Sequence, residues 1–249
     1  MHKYREEIAK IIANQANENS AKTLQSDRNL VTKHTLGDGR EVVIKAFKIP
    51  NLINKIAYRY FRKSKAKRSF EYASKLKALG VGTPEPIEYI ENFNWLGLRT
   101  SYYISSFVAY DLTYRELTTD FEIPDHEDIL RAFTRFTFYL HQKDINFLDH
   151  SPGNTLINRR DGSYDFYLVD LNRMEFQPMS FETRIKNFAK LTIHKSMIET
   201  MSDEYAKCSG ESYDTIFNLM WNFTQEFQNK YHRKRRLKNK ILFWRKKKS

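Results

Sequence analysis

Residues 139–157 read YLHQKDINFLDHSPGNTLI. Asp149 and Asn154 stand five apart in what reads as a loop between a helix and a short strand. Sixteen residues beyond Asn154, Asp170 closes the next strand in LVDLN. Phosphoryl transfer needs this equipment: an acid to orient the attacking hydroxyl, and hard oxygen ligands for a Mg²⁺ that bridges nucleotide phosphates. Upstream, EVVIK places Lys45 late in a strand, where an ammonium suits the α- and β-phosphates. Glu71 falls on a helix, available to pair with that lysine. Taken singly, each has a plainer reading. An Asp-x4-Asn pair is also an Asx-turn or helix cap, a strand-end lysine is a solvated edge residue, and Glu71 is helix surface. The order of the elements, each residue on the right kind of element, is what points to nucleotide chemistry.

Working outward, residues 29–36 and 40–47 alternate polar and apolar around Gly37-Asp38-Gly39, which predicts a hairpin because glycine supplies the positive φ of a tight turn. Residues 4–14 predict a short amphipathic helix, and 52–61 and 65–79 two more, the last stopped at Gly80 with Pro84 and Pro86 following. Residues 87–92 and 98–107 predict strands. Beyond about 108 the pattern turns helical. Over 125–141, Ile129, Leu130, Phe133, Phe136 and Leu140 recur at helical spacing. Residues 154–158 and 166–169 predict short strands flanking Arg160-Asp161-Gly162, and everything from about 180 reads as helix. A strand-rich first part and a helix-rich second part imply an α+β protein of two lobes, 1–108 and 109–249.

The chain of 249 residues is 41% hydrophobic, enough for two small lobes with a real core. The lone cysteine, Cys208, excludes an internal disulfide and fits a reducing compartment. No apolar run approaches the ~20 residues that span a bilayer, and the N-terminus lacks a signal-peptide pattern, so a soluble, cytoplasmic protein is expected. The net charge of +12 is unevenly placed. Residues 230–249 hold eleven Lys/Arg and 45–70 hold nine, neither with an acid; the total less those eleven and nine leaves the body at −8. Two basic segments on an acidic body seek phosphate, in nucleic acid, lipid headgroups or a phosphorylated substrate.

The stretch 139–157 resembles the catalytic loop of the protein-kinase-like superfamily, in which a helix ending in Leu-His leads into Asp-x-x-Pro-x-Asn. VVIKAF resembles the lysine strand, the Gly-Asp-Gly turn the hairpin before it, and SYYISSFV the hinge strand that holds adenine. More narrowly, SKAKRSFEYASKLKALGVGTPEPI, the basic aromatic insert before it and the short chain are similar to bacterial lipopolysaccharide kinases, which phosphorylate Kdo or heptose sugars of the lipid A inner core. The resemblance covers about residues 30–190. It implies a two-lobed protein-kinase-like fold with a small antiparallel-sheet N-lobe and a helical C-lobe. It implies ATP and Mg²⁺ as cofactors. Asp149 would orient and deprotonate the sugar hydroxyl, Asn154 and Asp170 would hold Mg²⁺, and Lys45 would contact the phosphates with Glu71 as its partner. The backbone of Ser105, Ser106, Phe107 and Val108 would meet adenine.

The departures from that pattern matter as much. Phe147 and Leu148 replace the His-Arg of His-Arg-Asp, and Asp170-Leu171-Asn172 replaces Asp-Phe-Gly, with Asn172 able to take a positive φ. Ser151 stands where Ser/Thr kinases carry a lysine that meets the γ-phosphate. No Gly-x-Gly-x-x-Gly marks the phosphate-covering loop expected within 15–30. No Ala-Pro-Glu follows Asp170 and helix resumes near 183, so the segment that docks a peptide is short and a small or lipid-borne acceptor is expected.

The insert 47–68 interleaves aromatic and aliphatic residues with cations, and the tail 230–249 ends ILFWRKKKS. Such clusters suit the anionic inner face of the inner membrane. The expectation is therefore a peripheral, cytoplasmic kinase acting on a lipid A–Kdo glycolipid, with no nucleic-acid partner. Two other readings stay open: a small-molecule phosphotransferase or atypical protein kinase, and a catalytically silent, membrane-associated nucleotide-binding pseudokinase. His141 is expected to pack at its helix end, while His150, beside Asp149, is a candidate substrate contact.

Overall fold

A computed structural model describes residues 2–14, 22–25, 29–48, 58 and 62–246. The chain divides into two compact units, Met1–Ala109 with Tyr167–Arg173, and Tyr110–Phe166 with Met174–Ser249. The excursion of 167–173 into the first unit differs from a single cut near 108. Its cause is local bonding: Leu168 N–H donates to the Gly82 carbonyl (2.9 Å) and Thr83 Oγ1 donates to the Leu168 carbonyl (2.9 Å).

The first unit is built on an antiparallel five-stranded sheet of β1 (Lys22–Gln25), β2 (Asn29–Thr35), β3 (Glu41–Phe47), β4 (Pro86–Asn94) and β5 (Gly97–Ser106), in the order β1-β2-β3-β5-β4. The hairpin between β2 and β3 turns at Gly39, which has φ +84°. Strand periodicity sorts β3 into two faces. Val42 and Ile44 are buried with Ile8, Leu36 and Ile104, so the amphipathic helix α1 (His2–Asn14) covers that face. Lys45 points to the other, where it lies opposite Tyr103 of β5, itself opposite Tyr89 of β4. Helix α2 (Lys65–Ala78) starts at Ser64, whose side chain accepts from Lys67 N–H, and runs out at Gly80 with φ +73°. Its Phe70 ring meets Tyr89 at 5.5 Å. The helix expected over 52–61 lies outside the described residues apart from residue 58. Of 15–30, where the phosphate-covering loop was sought, 15–21 and 26–28 lie outside them as well.

The second unit is mainly helical. It contains β6 (Leu112–Thr113), α3 (Tyr114–Leu117), α4 (His126–Gln142), β7 (Ile145–Phe147), β8 (Thr155–Arg160), β9 (Ser163–Leu168), β10 (Met174–Phe176), α5 (Phe181–Lys186), a 3₁₀ turn at Asn187–Lys190, α6 (Lys195–Ser209) and α7 (Tyr213–Lys246). The apolar stripe of α4 is buried as its spacing requires: Ile129, Leu130, Phe133 and Leu140 are each at most 1% exposed. Phe133 is the hub, with its ring 4.3 Å from Tyr114 and 5.7 Å from Phe166. Arg131 ties α4 to α6 through Asp203 (2.5 Å) and Glu204 (3.2 Å). The core is completed by Ile216, Met220 and Phe223 of α7, whereas residues 229–239 of the same helix are exposed on every side.

Candidate active site

In the second unit the Asp149–Asn154 loop is suspended between two strands. β7 is fully buried and pairs with β10, Phe147 opposite Met174; β8 begins at the buried Thr155. Between them the chain is folded by its own bonds. His150 N–H reaches the Phe147 carbonyl (3.0 Å), Asn154 N–H the Ser151 carbonyl (3.0 Å), and Asn154 Nδ2 donates to the Asp149 carbonyl (2.8 Å). This last bond closes the loop and fixes the amide's orientation. With Nδ2 committed, Oδ1 faces away, and among the described residues no donor meets it. The Asp149 side chain keeps 27% of its surface exposed, with Lys190 Nζ 4.0 Å from Oδ1.

His150 does not reach a substrate. It is 1% exposed, its Nδ1 is 2.9 Å from Asn187 Oδ1, and its Nε2 is buried without a partner. His150 is therefore not the substrate contact it was a candidate for: the ring turns inward beside Phe133 and Phe147. His141 packs as expected, fully buried with Nδ1 3.0 Å from the Tyr205 hydroxyl. Burial holds both imidazoles neutral, His150 at about 4 and His141 at about 3 against an ordinary 6.5; Lys190 adds to the depression of the first and His150 to that of the second. The unfolded chain takes up these protons near 6.5 while the folded one refuses them until pH 3–4. Stability is therefore intact above about pH 7 and falls as pH drops through 6.5, by up to about 1.4 kcal/mol per pH unit for each ring. Urea unfolding at pH 7.5, 6 and 5 reads this directly. His141→Gln and His150→Gln should each flatten the slope, and an unchanged slope in both variants would refute the assignment.

In the first unit, Lys45 Nζ pairs with Asp170 Oδ1 at 2.6 Å, and the lysine side chain is only 12% exposed. Asn172 Nδ2 donates to the same Oδ1 (2.6 Å). Among the described residues no donor meets Oδ2. Two sequence expectations need correction here. Glu71 does not pair with Lys45; it binds Lys63 through both carboxylate oxygens (2.9 and 2.8 Å). Lys63 sits beside the start of α2 and reaches Glu71 along the helix surface, whereas Lys45, on the sheet face, is already claimed by Asp170. The positive φ falls on Asp170 (+58°), not on Asn172. Left-handed backbone is uncommon outside glycine, and a residue held there by its surroundings is a pointer to function. Asn172 instead bonds the Asp170 carboxylate and so helps hold it.

The hinge expectation is refined. Ser105 and Ser106 pair with Val43 and Val42, Ser106 N–H also meets the Glu85 carbonyl, and Phe107 N–H meets the Glu41 carbonyl (2.9 Å each). Lys33 lies over the Phe107 ring at 3.6 Å and fixes the strand's exit. Of the donors at 106–108, only Val108 N–H has no partner among the described residues.

Among the described residues no three His, Cys, Asp or Glu side chains gather as a metal site. Each unit carries one oxygen donor of the hard kind that Mg²⁺ takes, the Asp170 carboxylate in the first and the Asn154 amide in the second. Sequence reasoning missed Asn187 and Lys190, which come from a turn far along the chain with no motif of their own. It also missed Arg115, whose Nη2 would lie 2.7 Å from a Cβ at Gly153, so the loop passes close under its guanidinium because that residue is glycine.

No protein-family model and no curated protein matches the sequence. Solved structures do. The structure described as WaaP in complex with acyl carrier protein superposes with a TM-score of 0.59 at 13% identity, covering 90% of this chain and 92% of that one. The chain has the two-lobed protein-kinase-like fold. The MAP kinase LmaMPK10 from Leishmania major matches with a TM-score of 0.49 at 16% identity, over 86% of this chain and 64% of the other. The Rio2 kinase–ADP/Mg²⁺-phosphoaspartate complex from Chaetomium thermophilum matches at 0.49 and 15%, over 90% and 75%. Asp149 and Asn154 lie in the loop between β7 and β8 and Lys45 in β3, while Asp170, expected to close a strand, stands two residues beyond the end of β9 at Leu168.

Proposed function

We propose that this protein is an ATP- and Mg²⁺-dependent kinase that phosphorylates a sugar hydroxyl, of Kdo or heptose, in the lipid A inner core of lipopolysaccharide. The observation that carries the reading is the self-closed Asp149–Asn154 loop, which holds a part-exposed carboxylate and an amide oxygen with no donor among the described residues on one hydrogen-bonded turn. Asp149 holds the acceptor hydroxyl and takes its proton as that oxygen bonds to the γ-phosphorus and the bond to the β-phosphate oxygen breaks. Lys45 neutralises the nucleotide phosphates once it exchanges Asp170 for them, and the Asp170 carboxylate and the Asn154 amide are the oxygen donors that would hold the metal. Bound Mg²⁺ supplies charge neutralisation across the phosphates. The Val108 N–H receives the base.

The short passage from Asp170 to α5 at Phe181, containing only β10, leaves little chain to dock a polypeptide and supports a sugar acceptor. Similarity to WaaP over nearly its whole length supports the narrower branch. We place the enzyme at an anionic, cytoplasmic membrane face: Lys230, Arg233, Lys234, Arg235, Arg236 and Lys238 all lie on the exposed stretch of α7, and Trp95, 83% exposed, tips the β4–β5 hairpin beside Phe93. An interfacial cation is worth about 1 kcal/mol and a tryptophan anchors at headgroup depth. No described helix is long and apolar enough to cross a membrane.

The Lys45–Asp170 pair favours a second reading, a silent nucleotide-binding protein, because it occupies one oxygen of the carboxylate a metal would use. Mass spectrometry of Kdo–lipid A after incubation with the protein and Mg-ATP decides between them. A gain of one phosphate on the sugar is expected; no gain, with nucleotide still bound, sinks the acceptor assignment.

A further inference from the structure

The turn Asn187–Lys190 is tied to the Asp149 loop by several hydrogen bonds. Asn187 Nδ2 donates to Asn146 Oδ1 and to the Phe147 carbonyl (3.0 Å each), and its Oδ1 lies 2.9 Å from His150 Nδ1. One amide thus grips the strand before Asp149 and the residue after it. Three positions on, Lys190 donates to the Leu148 carbonyl and brings Nζ to 4.0 Å from Asp149 Oδ1, while 34% of its side chain stays exposed. Its reach is not the accident of a long flexible chain, since the turn that carries it is pinned to the loop it serves. The same loop has Ser151, an uncharged residue, two places after Asp149.

We propose that Lys190 is a catalytic residue whose ammonium contacts the transferring phosphoryl group. The proposal rests on the kinase reading above. As the acceptor oxygen bonds to phosphorus and its proton passes to Asp149, negative charge spreads over the phosphoryl oxygens, and a fixed cation beside Asp149 stabilises that arrangement more than the ground state. Lys45 and Lys190 then differ in kind. Lys45, on the sheet, serves nucleotide affinity; Lys190, beside the acid, serves turnover. A lysine that merely capped the Leu148 carbonyl would serve neither and would show only in stability.

The test uses the full chain as wild type, Lys190→Met and Lys190→Arg. Calorimetry reads the affinity for Mg-ADP alone and for Mg-ADP with aluminium fluoride, a mimic of the phosphoryl group in flight; melting and steady-state transfer accompany it. In Lys190→Met, Mg-ADP affinity should stay within about 2-fold while the tightening by aluminium fluoride and kcat both fall about 10²-fold, with Lys190→Arg recovering much of each. A methionine variant that keeps the fluoride effect and kcat overturns the proposal and leaves the kinase reading standing. So does one whose losses track an equal loss of ADP binding and melting temperature. Wild-type protein that binds Mg-ADP but shows neither fluoride effect nor transfer overturns both.

Discussion

Asp149→Asn lowers phosphoryl transfer by about 10²–10⁴-fold, the usual worth of a positioned general base. The variant isolates the proton-accepting oxygen. It keeps the side-chain volume, and the bond that closes the loop, Asn154 Nδ2 to the residue 149 carbonyl, uses the backbone and survives. The strand before it stays buried and the Asn187 grip on Asn146, Phe147 and His150 is untouched. Melting should therefore shift little and nucleotide affinity hardly at all, because the carboxylate is assigned to the acceptor. The loss should appear in kcat, measured as phosphate gained by Kdo–lipid A over time. Transfer that continues at a tenth of the wild-type rate or better would mean that another group takes the proton, and Asp149 would revert to a loop residue.

The sequence made the fold readable wherever one face of an element had to be buried. Alternation marked β2 and β3, and Val42 and Ile44 are buried while Lys45 takes the other face. The helical spacing of Ile129, Leu130, Phe133 and Leu140 gave α4, with Lys143 capping it one residue past the helix end. Asp149 and Asn154 were legible for a different reason, since the loop's closing bond joins residues only five apart. Pairings across the chain were not. Lys190 meets a carbonyl 42 residues earlier and Asn187 a histidine 37 residues earlier, and no periodicity encodes such contacts. Glu71 shows the converse error. A helix glutamate and a strand lysine fit the order of elements in the family it resembles, yet side-chain partners are settled by what else lies near, and Lys63 and Asp170 were nearer. The backbone at Asp170 was misjudged because residue type reports tolerance of positive φ, not where the chain must turn.

Those two misreadings meet in the second large effect. Asp170→Asn removes the charge that Lys45 now holds, yet asparagine tolerates the φ of +58° about as well as any side chain. The turn should therefore persist, and the amide can still accept from Asn172. What is lost is one carboxylate oxygen for Mg²⁺. Phosphate charge neutralisation by a metal is worth several kcal/mol, and each 1.36 kcal/mol is tenfold, so transfer should fall by about 10²–10³-fold. A second readout needs no acceptor. In the wild type Mg²⁺ should tighten ADP binding, because a metal held by Asp170 would link the protein to the phosphates. In Asp170→Asn that tightening should disappear, while metal-free ADP binds as well as before or better, since Lys45 is released from its carboxylate partner to meet the phosphates. Calorimetric titration of ADP with and without Mg²⁺ on both proteins reads the difference. If Mg²⁺ strengthens ADP binding equally in the two, Asp170 is not a metal ligand. The Lys45 pair would then be a structural feature of the sheet face, and the silent reading would gain what the kinase reading loses.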